Sequence, residues 1–265
     1  MKGLKIFAGL FIFTGYLIAP TQAFPTDTPI RISSGLSEQA IAESLLSKGA
    51  IRSKLVYRTY VRLFDSDAHS IAGTYSFDRP LSIIELRERL RSGEYGTKLI
   101  KITIPEGSTN AEIARITGIA VPDELQGYLF PDTYYVHEYF TALELIELMQ
   151  NNFKKNVGNI DRDVLIMASI IEEEASNPLD RRIISGVLWK RLSIGMPLQV
   201  DVARVTYERK GLPDGPISNP GLDAIEAAKN PTKSNNLYYL ADRIGVTHFS
   251  QTFEQHNKNR VKYNI

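Results

Sequence analysis

The sequence predicts an α+β fold in which a small mixed N-terminal region precedes a more helical one. Segments that alternate apolar and polar residues predict strands, and amphipathic segments with capping residues predict helices. The two kinds of element do not follow a regular strand–helix repeat, which favours α+β over a parallel α/β sheet. At 265 residues, the chain is long enough for one large domain or two small ones.

The first region is predicted to run strand, helix, helix, strand and then helix, strand, helix. Its helices are predicted from capping residues, namely Ser37, Ser53, the Ser82–Glu85 capping box and the Thr109–Glu112 capping box. Its strands are predicted at 30–33, 73–77 and 98–107. In the last of these, Ile100, Ile102 and Ile104 are expected to share a half-buried face.

The second region is predicted to be mainly helical, with amphipathic helices at 142–156 and 181–192. Residues 235–250 are predicted to form two short strands joined by a glycine-containing turn. The aromatic stretch GYLFPDTY at 127–134 surrounds a Pro-Asp turn, and it can be either a packing corner or a substrate contact.

The composition excludes several classes of function. Thirty-one basic and thirty acidic residues give a net charge of +1, which leaves no overall electrostatic footprint for nucleic acid. The absence of cysteine excludes disulfides, thiolate metal sites, cysteine nucleophiles and a lipoprotein anchor. It does not identify the cellular compartment.

Residues 1–26 are predicted to be a signal peptide or a membrane anchor. A short basic flank precedes fourteen uncharged, mostly apolar residues at 6–19, and PTQA follows as a possible cleavage site. Fourteen residues suit a signal peptide better than a spanning helix, which needs about 20. An uncleaved anchor stays open because no charge occurs from Ile6 to Thr26. Either way, the rest of the chain is expected to be exported.

The common catalytic fingerprints are missing. The sequence has no nucleotide-binding glycine loop, no serine-hydrolase elbow and no H-E-x-x-H zinc motif. Asp65, Asp67 and His69 alternate, but a polar turn explains them better than a metal site, which needs a fuller ligand set. We therefore predict neither a metal nor a cofactor.

Three consecutive glutamates, 172–174, follow the apolar run from Val164 to Ile171. A carboxyl group at the end of an apolar helix and beside like charges is expected to have a raised pKa, as a general acid for glycoside cleavage requires. A solvated acidic helix end is the simpler alternative. The spacing does not choose among the three glutamates, because each one follows an apolar residue by one helical turn.

Five motifs downstream and upstream of the triplet occur in register. They are RLSIGMPLQVD at 191–201, GLPDGPISNPG at 211–221, AAKNPTKSNNLYYLAD at 227–242, GYLFPDTY at 127–134 and HFSQTFEQHN at 248–257. Together they resemble the MltG/YceG-like endolytic murein transglycosylases over roughly residues 70–262. The resemblance implies a single-pass, periplasm-facing membrane protein with three parts, namely the N-terminal segment 1–26, a LysM-like subdomain at 27–105 and a YceG-like catalytic domain at 106–265.

The family motif, placed on IIEEEAS, implies that Glu174 is the catalytic acid and base. Glu172 matches the first glutamate of the motif and is the second choice for this role, whereas Glu173 occupies a position that other polar residues usually fill. The resemblance also implies supporting or substrate-binding roles for four further residues, with turn formation or packing as the alternative. These are Gln199, Asp201, Asn219 and Tyr239.

The implied substrate is the glycan strand of peptidoglycan, and the implied partners are the membrane and proteins of cell-wall synthesis. One carboxyl group protonates the glycosidic oxygen and then takes the proton of the C6 hydroxyl, which closes a 1,6-anhydro ring. One alternative is a muramidase-type hydrolase that uses Asp201 as a second carboxylate. The other is a catalytically impaired glycan-binding or scaffolding protein, for which the shortened segment 202–210 is the argument among the departures from the family pattern. These are Gln126, Ala175, LQVDVA at 198–203 and the shortened segment 202–210.

Overall fold

The structure, a computed structural model, describes residues 15–65, 69–175 and 177–264. Most of the predicted apolar stretch 6–19, and Asp67, lie outside the described residues. Among the described residues, no helix has the length and apolar character needed to cross a membrane. The chain divides into two compact units, Met1–Ile100 with Tyr135–Phe140, and Lys101–Tyr134 with Thr141–Ile265. The predicted division into 27–105 and 106–265 stays a prediction.

The first unit has the predicted order of elements. They are β1 (Ile30–Ile32), α1 (Glu38–Ser47), α2 (Lys54–Phe64), β2 (Gly73–Tyr75) and α3 (Ile83–Ser92). β1 and β2 pair antiparallel, with Ile30 opposite Tyr75. The predicted caps are confirmed, because the side chains of Ser37, Ser53 and Ser82 each accept a hydrogen bond from the first turn of their helix.

The core of this unit lies between the sheet and the three helices, and it includes Tyr57, Tyr75 and Leu86. Arg87 is also buried there and forms ion pairs with Asp65 and, at 2.9 Å, with Glu38. Asp65, one of the alternating polar residues, thus neutralises an internal arginine. Among the described residues, no three His, Asp or Glu side chains are arranged to hold a metal ion.

The second unit is more helical, as predicted. β3 (Leu99–Thr103) pairs with β4 (Thr133–His137). The helices are α4 (Asn110–Thr117), α5 (Ala142–Asn156), α6 (Arg162–Glu174), α7 (Pro178–Ser193), α8 (Val205–Glu208), α9 (Leu222–Lys229) and α10 (Phe253–Tyr263). The predicted strand pair near the end is confirmed as β5 (Tyr238–Ala241) and β6 (Thr247–Ser250), which pair antiparallel.

The sequence prediction is incomplete in three details. Ile102 and Ile104 are buried, whereas Ile100, two residues before Ile102 in the same strand, is 36% exposed. The alternation of isoleucines predicts which side of the strand faces inward, but it does not show which of these residues are covered by other parts of the chain. The GYLFPDTY stretch does contain a bend, but its last residues enter β4, and α9 and α10 were not predicted.

Helix α6 forms the centre of the second unit. Asp161 caps its N-terminus, and every residue from Leu165 to Ile171 is buried. α7 and α9 both pack against it. A helix that is buried on all sides needs apolar residues on all sides, which explains why the run 164–171 shows no helical periodicity.

Gly186 of α7 lets the following segment approach the helix closely. A Cβ atom at this position would overlap the carbonyl oxygen of Thr232. The backbone N–H of Thr232 donates to the carbonyl of Arg182 at 2.9 Å, so the segment is fixed to the helix at this point. The segment then leads into β5.

We expect Gly186→Ala to lower the free energy of unfolding by about 1–3 kcal/mol, because the backbone near Thr232 must move to admit the methyl group. Denaturant unfolding measures the change. Ser185→Ala is the matched control, since the buried Ser185 hydroxyl has no hydrogen-bond partner among the described residues. Equal stability of the two variants would contradict this close contact.

Candidate active site

A cavity of about 500 Å³ lies within the second unit. Its walls come from the C-terminal end of α6, helix α7, the segment 199–207, strands β5 and β6, and helix α10. Polar and aromatic side chains from these elements converge there, among them Glu174, Asp201, Tyr207 and Tyr239. A concave site with converging polar groups is the usual form of a ligand site.

The first unit has a larger depression of about 770 Å³. Charged side chains that line it form ion pairs with one another, as in Arg79–Glu85 at 2.8 Å and Arg91–Glu88 at 2.6 Å. The cavity of the second unit, in contrast, contains a half-buried carboxyl group whose pKa is raised, that of Glu174. Such a group in a cleft indicates a functional site.

The three consecutive glutamates have three different environments. Successive residues of a helix point about 100° apart, because the helix has 3.6 residues per turn. Glu174 lines the cavity, Glu172 is directed into the protein interior, and the exposed Glu173 lies beside Gly107. Only Glu174 among the three lines the cavity.

Within the part of the chain that the structure describes, the Glu174 side chain is held by one hydrogen bond. The hydroxyl of Tyr239 donates to Oε2 of Glu174 at 2.8 Å. Burial raises the pKa of Glu174 and the charge of Asp201 adds to this, whereas the Tyr239 hydrogen bond and Arg191 act in the opposite direction. Burial and the charge of Glu174 hold the pKa of Tyr239 well above its ordinary value, so its hydroxyl stays protonated and donates.

Glu172 has a structural environment. Its Oε1 accepts from Nη2 of Arg181 at 2.6 Å, and its Oε2 accepts from the backbone N–H of Gly221 at 2.8 Å. The side chains of Glu172 and Arg181 are only 6% and 8% exposed. Burial raises the pKa of Glu172, although the Gly221 hydrogen bond and Arg181 favour its ionised form. Glu172 does not line the cavity.

Gln199 and Asp201 both line the cavity. Oδ1 of Asp201 accepts from the hydroxyl of Tyr207 at 2.7 Å. Gln199 has a φ of +52°, a left-handed conformation that is unfavourable for a residue with a side chain. Strain of about 1–3 kcal/mol of this kind is concentrated at functional sites, where the surrounding structure maintains it.

Asn219 does not line the cavity. It is 0% exposed, and its amide oxygen accepts from the backbone N–H groups of Gly127 and Leu129 at 2.8 and 3.1 Å. Its amide nitrogen donates to the Ser108 carbonyl at 2.8 Å and to the Asn110 side chain at 3.1 Å. All its hydrogen-bonding positions are filled, so Asn219 supports the fold.

The structure adds residues that the sequence reasoning did not assign. Arg191 lines the cavity, and its Nε and Nη1 donate to the carbonyls of Leu237 and Leu198 at 2.6 and 2.5 Å. Tyr207 comes from the shortened segment 202–210, which therefore still contributes to the site. His256 of α10 also lines the cavity, and its ring is tilted against that of Tyr238, with 5.4 Å between ring centroids. Arg191 and His256 stood inside quoted motifs, but only the structure shows that they reach one cavity.

Comparisons with known proteins agree with this arrangement. A model of the YceG-like family matches residues 30–204 and 205–262. The chain belongs to the YceG-like family. The family match includes every residue of the cavity named above.

Relatives of this YceG-like chain carry a common name. A Bacillus subtilis protein named endolytic murein transglycosylase is 30% identical over 97% of this chain and 91% of its own length. A Streptococcus pneumoniae protein of the same name is 27% identical over 88% of this chain, which spans 58% of that longer protein. A crystal structure of a yceG-like protein from Listeria monocytogenes matches with a TM-score of 0.55 and 26% identity, over 88% of this chain and 98% of that one. The α+β architecture is therefore a YceG-like fold.

We expect Tyr239→Phe to raise the pKa of Glu174 further. The substitution removes the hydrogen bond that favours the ionised carboxylate, and a hydrogen bond to a charged group contributes about 1.5–3 kcal/mol. Titration of the Glu174 carboxyl carbon by NMR measures the change. Tyr238→Phe is the control, because Tyr238 lines the same cavity and is the neighbouring tyrosine of β5. A pKa that falls or stays constant in Tyr239→Phe would disprove the assigned interaction.

Proposed function

We propose that this chain is a lytic transglycosylase that cleaves the MurNAc–GlcNAc bond within nascent peptidoglycan strands. The products would carry 1,6-anhydroMurNAc ends, and cleavage would end strand elongation. Membership in the YceG-like family and the names of the relatives support the substrate. The observation that supports the reaction is Glu174, a half-buried carboxyl group with a raised pKa in a cavity large enough for sugar rings.

In the proposed mechanism, protonated Glu174 donates its proton to the glycosidic oxygen as the bond to C1 breaks. The carboxylate that remains then accepts the proton of the C6 hydroxyl of the same muramoyl residue, and the C6 oxygen bonds to C1. The side chain ends the cycle protonated, and no water is consumed. The attack is intramolecular, so it gains the advantage of proximity.

The neighbours of Glu174 suit both halves of this cycle. Burial and Asp201 favour the protonated acid that begins the reaction. Tyr239 and Arg191 favour the carboxylate that exists after proton transfer. Because Tyr239 occupies Oε2, Oε1 is the oxygen that remains available to exchange a proton with the substrate.

A hydrolase is the second candidate, and Asp201 is the observation that favours it. Asp201 is the other carboxylate among the described residues that line the cavity. Two carboxylates on opposite sides of a sugar can activate a water or form a covalent intermediate. Asp201, however, already accepts a hydrogen bond from Tyr207.

For the whole chain, we propose the organisation that the sequence predicts. Residues 1–26 would tether the protein to the cytoplasmic membrane, with the body outside the cytoplasm, or would be cleaved to give a periplasmic form. Residues 27–105 would form a LysM-like subdomain, and 106–265 the catalytic domain. Cell-wall synthesis proteins are the expected partners.

We expect Glu174→Gln to lower strand cleavage by about 10²–10⁴-fold or more, because glutamine has a similar size but cannot cycle a proton. Cleavage of purified peptidoglycan strands measures the loss, and circular dichroism checks the fold. Glu173→Gln is the matched control with a mild expected effect, since the Glu173 side chain is exposed.

Glu172→Gln separates a structural role from a catalytic one. We expect it to lower the free energy of unfolding by about 2 kcal/mol, because the buried Arg181 loses a charged partner. The folded fraction should still cleave strands. If Glu172→Gln is fully stable but inactive while Glu174→Gln cleaves normally, the catalytic residue is Glu172 and not Glu174.

The products distinguish the two candidate reactions. We expect mass spectrometry of the cleaved strands to show 1,6-anhydromuramic acid ends, because the C6 hydroxyl replaces water as the nucleophile. Reducing-end muramic acid would instead support the hydrolase. Asp201→Asn then provides a second check, since it should abolish the hydrolase reaction but leave anhydro products detectable.

A further inference from the structure

Helix α2 of the first unit has an outward face that the catalytic cavity does not explain. Its inner face buries Tyr57 and Val61. Two leucines point outward, with exposures of 72% and 67% at Leu55 and Leu63. Singly exposed leucines are common on protein surfaces, so the charges and the attachment of this helix must show whether the face contacts something else.

The charges on α2 are all positive. The exposed basic residues are Lys54, Arg58 and Arg62, and the helix contains no acidic residue. Lys54 lies 3.6 Å from Glu43 in an exposed ion pair. Among the described residues, no ion pair involves Arg58 or Arg62. A helix that combines exposed leucines with unopposed arginines suits an anionic lipid surface.

The end of the N-terminal apolar stretch is attached just before this helix. Nη1 of Arg52 donates to the carbonyls of Tyr16 and Ala19 at 3.0 and 2.5 Å, and Nη2 donates to the carbonyl of Pro20 at 2.7 Å. The guanidinium also lies 4.3 Å from the centre of the Tyr16 ring. Arg52 precedes the first residue of α2 by two positions.

The hydrogen bonds of Arg52 relate the position of α2 to that of the membrane. If the apolar stretch 6–19 is embedded in a bilayer, its last residues lie near the bilayer surface. Because Arg52 binds those last residues, the start of α2 must then lie near the same surface. The three observations, namely exposed leucines, unopposed arginines and the Arg52 attachment, agree on one occupant.

We propose that α2 lies on the outer surface of the membrane that tethers the chain, with Leu55 and Leu63 in the headgroup region and Arg58 and Arg62 on lipid phosphates. This inference rests on the proposed membrane tether. A protein partner is the other possible occupant of a basic amphipathic helix, but it would not account for the position of Arg52. Because α2 would contact lipid directly, the first unit would lie against the membrane and would not be joined to it by the N-terminal tether alone.

The absence of cysteine makes a direct test simple, because a single introduced cysteine can be labelled without removing others. The full chain carrying Leu63→Cys, with a polarity-sensitive fluorophore, is reconstituted in vesicles that contain phosphatidylglycerol and brominated lipids. Ile244→Cys is the matched control, since Ile244 is also an exposed apolar residue, at 86%, but lies in the turn between β5 and β6. Flotation of the vesicles shows whether the chain is membrane-bound.

We expect the label at Leu63 to be quenched roughly twofold or more above the label at Ile244, because an interfacial helix buries its apolar face ~5–10 Å deep. Arg58→Gln with Arg62→Gln should reduce this quenching, by roughly 5-fold per charge in the docking equilibrium. Vesicles that contain brominated phosphatidylcholine but no phosphatidylglycerol should reduce the quenching of the Leu63 label in the same way.

Two results would overturn the proposal, and only the second would also contradict the membrane tether. If the chain floats with the vesicles but Leu63 is quenched no more than Ile244, the contact of α2 is wrong and the tether stands. If the chain does not float, both the tether and the contact are wrong. Neither result bears on strand cleavage, which the Glu174 variants test.

Discussion

The buried ion pair between Glu172 and Arg181 is the interaction on which the candidate site depends. Three glutamates at the C-terminal end of a helix repel one another and face the negative end of the helix dipole. Arg181 offsets both effects, because its Nη2 donates to Glu172 and its Nε donates to the carbonyl of Ala175 at 2.8 Å. With Gly221 bound to the second oxygen of Glu172, the end of α6 is joined to α7 and α9. Glu174, two residues after Glu172, therefore has a fixed direction.

The environment of Glu174 is a balance of opposing effects and not a single strong one. Burial favours the protonated carboxyl group and raises its pKa, but a general acid must also give up its proton. Tyr239 and Arg191 supply the opposing effect within the cavity. Arg191 is itself fixed by two backbone carbonyls, which leaves it in place as the charge of Glu174 changes. Preorganised dipoles and charges of this kind do not have to reorient during the reaction.

Much of the local structure could be predicted because its causes are local. The Ser82 and Thr109 capping boxes mark their helix ends through contacts three residues apart, and both are confirmed. The pairing of β5 with β6 follows from alternation around a glycine turn. Long-range contacts could not be predicted in this way. The direction of each glutamate depends on Arg181, Gly221 and Tyr239, and sequence spacing does not show that these residues meet α6.

The shortened segment 202–210 shows the same difference between local pattern and tertiary contact. In the sequence, this segment is shorter than the family pattern. In the structure, it forms the short helix α8, which hydrogen bonds of Thr206 hold in place. The Thr206 hydroxyl donates to the Ala203 carbonyl at 2.7 Å and accepts from the N–H of Val200 at 3.0 Å. These bonds hold the turn that keeps Gln199 in its strained conformation and brings Tyr207 to Asp201. A few buried hydrogen bonds thus allow the short segment to supply Tyr207 to the cavity and to hold Gln199 and Asp201 just before it, so the reduced length alone is no argument for an impaired site.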